Sequence, residues 1–285
     1  MPIDYQTLLN WDIPEVTQTI TQKDTILYAL GIGVGSDPCD PQQLRFVYES
    51  KLEMLPMMAV TLCYPGQWFS APGTGIVSSH VVQGAQFFTI HSPLPTACTL
   101  RGKTRITGVY DKGEGKGAII TTECTVSDTA AGNLLCTIGS VQFCRANGGF
   151  DGPRGPALIV LQRPERPPDV SCELQTMPQA GLLYRLSGDY NPLHVDPEYA
   201  KRAGFERPIL HGRCTFGVVG HAIIKSLCDY RGTLLKAMSA RFVSSVYPGE
   251  KICTEMWREK GRVFFRALVR SRNVIVLDHG VAEIG

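Results

Sequence analysis

The sequence has no long hydrophobic run and few charges. No apolar stretch approaches the roughly 20 residues that a membrane-spanning helix needs, and the first ten residues lack the basic segment and apolar core of a secretory signal. Only 19% of the 285 residues are charged and the formal net charge is +2, so no broad basic surface for nucleic acid is expected. We therefore expect a soluble protein that binds small molecules and contacts neither a membrane nor nucleic acid.

The usual signatures of disulfides and metal sites are also missing. Ten cysteines could form five disulfides, but they are scattered from Cys39 to Cys253 without a C-x-x-C pair. Several lie in apolar, strand-like runs, which is typical of reduced core thiols in an intracellular protein. No Cys/His cluster has the spacing of zinc ligands, and the His194-Val195-Asp196 pair is a weak signal alone, so we predict no metal.

Reactive side chains are concentrated in residues 183–212, LYRLSGDYNPLHVDPEYAKRAGFERPILHG. Glycine and Asn191-Pro192 favour turns there, so we predict a loop that carries Asp189 and His194. The two residues are five apart, too far for one helical face, but a folded loop can bring a carboxylate and an imidazole together. Such a pair can hold a water molecule and move its proton.

The end of this stretch predicts a polarising backbone amide. Asp196 followed by Pro197 is typical of a helix start, and residues 198–202 would form one or two turns. The apolar run 214–227 predicts a buried helix with Gly212 at its N-terminus, where an unpaired N–H and the helix dipole can polarise a carbonyl oxygen. A polar pair facing such an amide suits addition of water to an activated double bond.

The string SGDYNPLHVDPEYAKRAGFERPILHGRCTFG closely resembles the hydratase 2 signature of the MaoC-like, or (R)-specific, enoyl-CoA hydratases. It is most similar to the hydratase 2 unit of eukaryotic peroxisomal multifunctional enzymes of type 2. YDKG at 110–113, RPPD at 166–169, and ARF, VYPG and TEMW between 240 and 257 extend the resemblance over nearly the whole chain. It implies a (3R)-specific trans-2-enoyl-CoA hydratase of fatty acid β-oxidation, a lyase that needs no cofactor beyond the CoA of its substrate. A homodimer and a peroxisomal location are implied by the same analogy, with the cytoplasm as the alternative.

The resemblance also implies an α+β double hot-dog fold, in which two antiparallel sheets each wrap one long helix and join into a continuous sheet. We place a degenerate first domain at 1–150, a Pro/Gly-rich linker at 151–170 and the catalytic domain at 171–285. The first half lacks D-x-N-P-x-H, and the resemblance implies that it accommodates a bulky acyl chain. Patterning predicts helices at 21–30, 55–62, 179–185 and 214–227, and strands at 45–49, 86–90, 99–110, 118–128, 134–144, 157–161, 234–243, 251–258, 262–270 and 274–282.

The positions that match the motif of this family give the candidate site. Asp189 and His194 would activate water, Asn191 would help to hold the water and the loop, and the Gly212 N–H would meet the thioester oxygen. Around them the resemblance implies CoA-substrate or supporting contacts by Gln83, Gly84, Lys112, Tyr184, Asp196, His211 and Phe242.

Several of these residues also have plainer explanations. Lys112 could be a solvated charge, and the glycine-rich turn around it lacks the G-K-[ST] of a phosphate-binding loop. Tyr184 and Phe242 could be core residues, Asp196 a helix cap with a secondary role in orienting His194, and His211 a structural hydrogen-bonding residue. Gln83 stands where animal relatives have histidine, and the Met57-Met58 pair is either core filler or part of an acyl channel.

Two other functions fit the same features. A hot-dog thioesterase would bind acyl-CoA but attack the thioester carbonyl, and a non-catalytic acyl-CoA-binding subunit would bind without turnover. The D-x-N-P-x-H loop argues for hydration against both. The final residues do not form an S-K-L type peroxisomal address.

Overall fold

The computed structural model describes residues 2–156 and 162–285, and the strand predicted at 157–161 lies outside the described residues. Ten antiparallel strands form one continuous sheet, in the order β1-β3-β4-β5-β2-β7-β10-β9-β8-β6. They are β1 (Val16–Ile20), β2 (Val81–Ile90), β3 (Cys98–Asp111), β4 (Ala118–Asp128), β5 (Leu134–Cys144), β6 (Val170–Gln175), β7 (Leu235–Phe242), β8 (Lys251–Glu259), β9 (Arg262–Val269) and β10 (Val274–Ile284).

Each half of the chain contributes five neighbouring strands. The halves join where β2 pairs with β7, from Ala85 opposite Arg241 to Thr89 opposite Ala237. The prediction of an α+β fold with one continuous sheet is confirmed. The bounds proposed for the domains and the linker stay predictions.

The helices are α1 (Tyr5–Leu9), α2 (Gln22–Gly31), α3 (Pro41–Leu44), α4 (Ala180–Tyr184), α5 (Pro197–Arg202) and α6 (Gly212–Leu227). In α6 every residue from 214 to 224 is buried, because this helix packs on β6, β7 and β8 of the second half. A helix that is apolar on all sides is expected at the centre of a core. The helix predicted at 214–227 is confirmed, and α2 confirms the helix predicted at 21–30.

The centre of the first half differs from that of the second. The helix predicted at 55–62 is a buried 3-10 segment, Pro56–Thr61, which packs on β2, β5 and α6. Met57 fills the space above Gly220 of α6, where an added Cβ would come within 2.3 Å of the Met57 Cγ. Met57 therefore serves as core filler, while Met58 lines a cavity of about 120 Å³. An acyl-channel role for this segment stays a prediction.

One predicted strand is wrong, and two edge strands have no counterpart among the predictions. Residues 45–49 form turns after α3. Asp40 caps that helix, and the Phe46 N–H donates a hydrogen bond to the Gln43 carbonyl, so the chain keeps turning. Phe46 is buried between less buried neighbours, which imitates strand alternation. The edge strands β1 and β6 are short and only weakly patterned.

All ten cysteines are free thiols and eight of them are buried, as predicted. In the described parts of the chain no helix combines the length and the apolar character that crossing a membrane requires.

Asp111, the last residue of β3, is expected to make a large contribution to stability. Its buried carboxylate accepts hydrogen bonds from the N–H groups of Gly113, Gly149 and Phe150 at 2.7–2.8 Å. Burial alone would raise the pKa of Asp111, but these bonds and Arg154 lower it. Asp111→Ala should reduce the free energy of unfolding at pH 7 by on the order of 3 kcal/mol, because it removes a charged acceptor that three backbone N–H groups share.

Urea denaturation at several pH values tests this prediction. A lowered folded-state pKa stabilises the protein above the unfolded-state pKa, and this stabilisation is lost as pH falls through the folded-state value. The difference in the free energy of unfolding between the wild-type protein and Asp111→Ala should therefore become smaller in acid. Asp128→Ala is the control, since Asp128 also ends a strand but accepts bonds in an exposed turn. Equal losses in the two variants would contradict the prediction.

Candidate active site

The loop between α4 and α5 is held by its own polar side chains. The Asn191 Oδ1 accepts a hydrogen bond from the Leu193 N–H at 3.0 Å, and the Asp189 Oδ1 accepts one from the Asn191 N–H at 3.3 Å. Gly188 ends the preceding 3-10 turn with φ of +110°, a conformation that favours glycine. Asn191 therefore sets the turn that carries the pair Asp189 and His194.

Three titratable residues converge at this loop. One carboxylate oxygen of Asp189 and one ring nitrogen each of His194 and His211 all lie within 4.8 Å of one another. His194 is 9% exposed, His211 is fully buried, and Asp189 is partly exposed. The predicted meeting of Asp189 with His194 is thus present, and His211 joins it.

His194 is held as a neutral imidazole. Its Nδ1 lies 2.8 Å from the carbonyl oxygen of Ile209, which can only accept, so Nδ1 carries the proton and Nε2 keeps its lone pair. Burial lowers the pKa of His194, against the opposing effects of the Ile209 bond and the Asp189 charge. The ring therefore offers a free acceptor at neutral pH.

His211 lies against His194 and is tied to the loop. The ring centroids are 3.8 Å apart with planes 30° apart, and the His211 Nε2 donates to the backbone oxygen of Asp189 at 3.1 Å. Burial and then the neighbouring His194 lower the pKa of His211 to about 4. Within the described chain its Nδ1 has no hydrogen-bond partner. Tyr184, fully buried, lies behind it with ring centroids 5.1 Å apart.

Gly212 begins α6, as predicted, so its N–H has no partner within the helix. The Phe242 ring lies on this residue, since an added Cβ would come within 3.0 Å of the Phe242 Cε1. Asp196 caps α5, as predicted, since its Oδ1 accepts the N–H groups of Glu198 and Tyr199. The observed partner of the His194 imidazole is the Ile209 carbonyl, and the secondary role of Asp196 in orienting His194 stays a prediction.

Three residues predicted to contact CoA, Gln83, Gly84 and Lys112, lie toward the same end of the first half-sheet, with β4 and β5 between their strands. Gln83 and Gly84 sit at a bulge in β2, just before Ala85 pairs with Arg241, the neighbour of Phe242. The Gln83 amide donates to the Gln86 Oε1 at 2.6 Å. Lys112 follows the end of β3 and donates to the Arg154 carbonyl at 2.8 Å. Their contacts with CoA stay predictions.

Three neighbours of the site were missed from the sequence. The Arg213 guanidinium lies 4.3 Å from the ring centroid of Tyr64, beside the start of α6. Gly181 of α4 lies against the backbone of the loop. Arg213 adjoins the motif, so its position in the sequence was a usable signal, whereas Tyr64 and Gly181 are brought in by tertiary packing.

Gly181 allows the loop to sit close to α4. An added Cβ would lie 2.7 Å from the His194 carbonyl oxygen, a distance at which the backbone must move. Gly181→Ala should lower kcat by about 10- to 100-fold, because small displacements of a catalytic group are costly, while the fold survives. Gly31→Ala in α2 is the matched control, since its added Cβ would meet Tyr184 at an ordinary 3.6 Å. Equal activities of the two variants would contradict the prediction.

The convergence of Asp189, His194 and His211 has the composition of a metal-ligand set, since one carboxylate oxygen and two ring nitrogens lie within 4.8 Å of one another. The His194 Nδ1 and the His211 Nε2 donate to backbone carbonyls, which leaves the other nitrogen of each ring free. A free imidazole nitrogen can accept a proton from water or bind a metal. The expectation that the site works without a metal stays a prediction.

Residues 19–146 match the family described as MFE-2 hydratase 2 N-terminal domain, and residues 160–278 match the MaoC like domain. The chain is 41% identical over 286 residues to Enoyl-CoA hydratase 2, peroxisomal, of Arabidopsis thaliana, covering 95% of this chain and 92% of that protein. The chain belongs to the MaoC-like hydratase 2 family.

A longer relative and two solved structures extend the comparison. Peroxisomal multifunctional enzyme type 2 of Mus musculus is 32% identical over 95% of this chain and 37% of that protein. The solved MaoC-like dehydratase from Phytophthora capsici superposes with a TM-score of 0.86 at 36% identity, covering 98% of both chains. A Mycobacterium tuberculosis protein described as a double hotdog fold superposes at 0.57 with 15% identity. The double hot-dog prediction is confirmed.

Proposed function

We propose that this protein is a (3R)-specific trans-2-enoyl-CoA hydratase of fatty acid β-oxidation, which adds water reversibly to give (3R)-3-hydroxyacyl-CoA. The observation that carries the proposal is the Asp189 carboxylate beside the free Nε2 of a neutral His194, next to the N–H that begins α6. The names of the family members above include enoyl-CoA hydratase, which supports an enoyl thioester of CoA as substrate.

The chemistry follows from two acceptors and one donor. Asp189 and the His194 Nε2 each accept one hydrogen of a single water, so an oxygen lone pair faces C3 of the substrate. The Gly212 N–H binds the thioester oxygen, which draws electron density away from C3 and stabilises the charge that develops on the oxygen. The water oxygen bonds to C3, and the proton held by the Asp189–His194 pair is delivered to C2 on the same face. One water thus supplies both added groups.

The remaining residues would position the substrate. A cationic Lys112 suits the phosphates of CoA, and Phe242 would form a wall beside Gly212. We also propose a homodimer. We further propose a peroxisomal location, because the names of both relatives include that compartment.

The decisive experiment follows the ultraviolet absorbance of the enoyl thioester after adding protein to trans-2-decenoyl-CoA, with chiral analysis of the product. Loss of absorbance with formation of the 3R alcohol supports the proposal. Release of free CoA would indicate a thioesterase, and tight binding without turnover would indicate an acyl-CoA-binding subunit. A 3S product would contradict the stereochemistry.

We expect hydration to proceed without a metal, because Asp189 and His194 already supply the two acceptors that one water needs. Prolonged dialysis against a chelator should leave kcat unchanged within error. Metal analysis of the dialysed protein provides the control. Loss of activity that zinc restores would contradict this prediction and would assign a ligand role to the three converging residues.

A further inference from the structure

The inner face of the first half-sheet carries a row of buried polar side chains. Thr104 of β3, Thr122 of β4, Ser140 of β5 and Gln86 of β2 are each no more than 7% exposed. One apolar cluster, with Phe88 among its members, lies on one side of the row, and a second, which includes Ile120, lies on the other. Four buried polar groups between two apolar clusters are costly unless their hydrogen bonds are satisfied.

A small cavity, about 40 Å³, opens beside this row and is lined by polar and apolar side chains in similar measure, among them Gln142, Tyr64, Arg213, Leu62 and Ile138. We call it the polar cavity after the row that it adjoins. The Gln142 Nε2 donates to the Ser140 Oγ at 2.7 Å, and the Ser140 and Thr122 hydroxyls are 3.0 Å apart. The Gln142 Oε1 is buried without a hydrogen-bond partner in the described residues. Turning the amide over would free its N–H groups instead, so a hydroxyl, which both donates and accepts, suits either orientation.

The mouth of the polar cavity adjoins the candidate active site. Arg213, next to Gly212 in sequence, lies over the Tyr64 ring, and both side chains line the cavity. Burial raises the pKa of Tyr64; of its charged neighbours, Arg213 lowers it and Asp189 raises it. Through the contact of Arg213 with Tyr64, the polar cavity adjoins the start of α6.

Resting on the proposed function, we propose that the polar cavity binds a hydroxyl group on the tail of the acyl chain, so that hydroxylated enoyl-CoA thioesters are preferred substrates. Because Arg213 and Tyr64 join the start of α6 to the cavity, the tail of an acyl chain whose thioester lies at Gly212 would extend toward it. A plain alkyl tail would leave the Gln142 amide unpaired, whereas a hydroxyl completes the row that runs through Ser140 and Thr122. The cavity volume holds on the order of two or three waters. That space is enough for the last few atoms of an acyl chain and too small for the whole chain.

The test compares trans-2-decenoyl-CoA with the same thioester carrying a hydroxyl on one of its last three carbons. The wild-type protein should favour the best hydroxylated substrate by about tenfold in kcat/KM, since a site that hydrogen-bonds a hydroxyl discriminates against its absence. Thr122→Val, which is isosteric, should reduce this ratio to about one. Ser140→Ala provides a second variant of the same row.

The neighbouring residue provides a matched control. Thr121 points to the other face of β4, where its hydroxyl pairs with that of Thr107 at 2.8 Å in an exposed position. Thr121→Val should therefore keep the preference. Hydration of the plain substrate without a hydroxyl preference, or a preference that survives Thr122→Val and Ser140→Ala, would overturn this inference and leave the proposed function standing. A stronger preference for a terminal carboxylate that Arg213→Gln abolishes would overturn the assignment to a hydroxyl. No hydration of any substrate would overturn both.

Discussion

Asp189→Asn is expected to lower kcat for hydration by on the order of 10³-fold, with little change in KM. Asparagine has the same size and keeps one side-chain oxygen to accept the Asn191 N–H, as Asp189 does at 3.3 Å. It loses the negative charge, and its amide nitrogen cannot take a proton from water. The loop should therefore keep its shape while the acceptor pair is reduced to His194 alone. Steady-state kinetics with trans-2-decenoyl-CoA measure the effect.

Asp196→Asn is the control for removal of charge near the site. Asp196 caps α5, and asparagine is an equally good cap, so activity and helix should both be preserved. Circular dichroism and thermal melting of both variants establish that each is folded. Comparable losses in the two variants would point to the overall charge of the loop and not to Asp189 as the base.

The centre of this site could be predicted because local chemistry determines it. Turn-forming Gly188 and Asn191-Pro192 fold the chain back and so bring Asp189 and His194 near each other, although Ile209 then fixes the imidazole. Strands 118–128 and 134–144 were predicted at their observed bounds. Buried positions alternate in the first of them, while the second is mostly buried and is preceded by a turn.

The surroundings of the site could not be predicted, because contacts between distant segments determine them. His211 stacks on His194 from seventeen positions away, an arrangement that follows from the start of α6 packing beside the loop. The Tyr64 ring reaches Arg213 from the other half of the chain. The 3-10 geometry of Pro56–Thr61 likewise follows from the space that α6 leaves, and the sequence of that segment suits an ordinary helix equally well.

His194→Gln is expected to lower kcat by about 10²- to 10⁴-fold, because it removes the acceptor that shares the water with Asp189. The glutamine amide cannot take a proton from water. It also lies where the Nε2 lies, so the 2.8 Å bond between the His194 Nδ1 and the Ile209 carbonyl is lost, and circular dichroism checks that the variant is folded. Since burial lowers the pKa of His194, the wild-type imidazole is neutral throughout the neutral range. The rate should fall in acid only below pH 6.5, the ordinary histidine value, when protonation occupies Nε2.

The pH dependence of kcat/KM separates this role from a structural one. His211 stays neutral as well, with a pKa lowered to about 4, because burial disfavours its charged form and a charge on the stacked His194 would add repulsion. The exposed His80, bonded to the Ser79 hydroxyl, is the control position, and His80→Gln should reproduce the wild-type profile. A wild-type acid limb above pH 6.5 would show that His194 is not the buried neutral acceptor that the geometry requires. An unchanged rate in His194→Gln would leave Asp189 as the sole base, because water would then need only one acceptor.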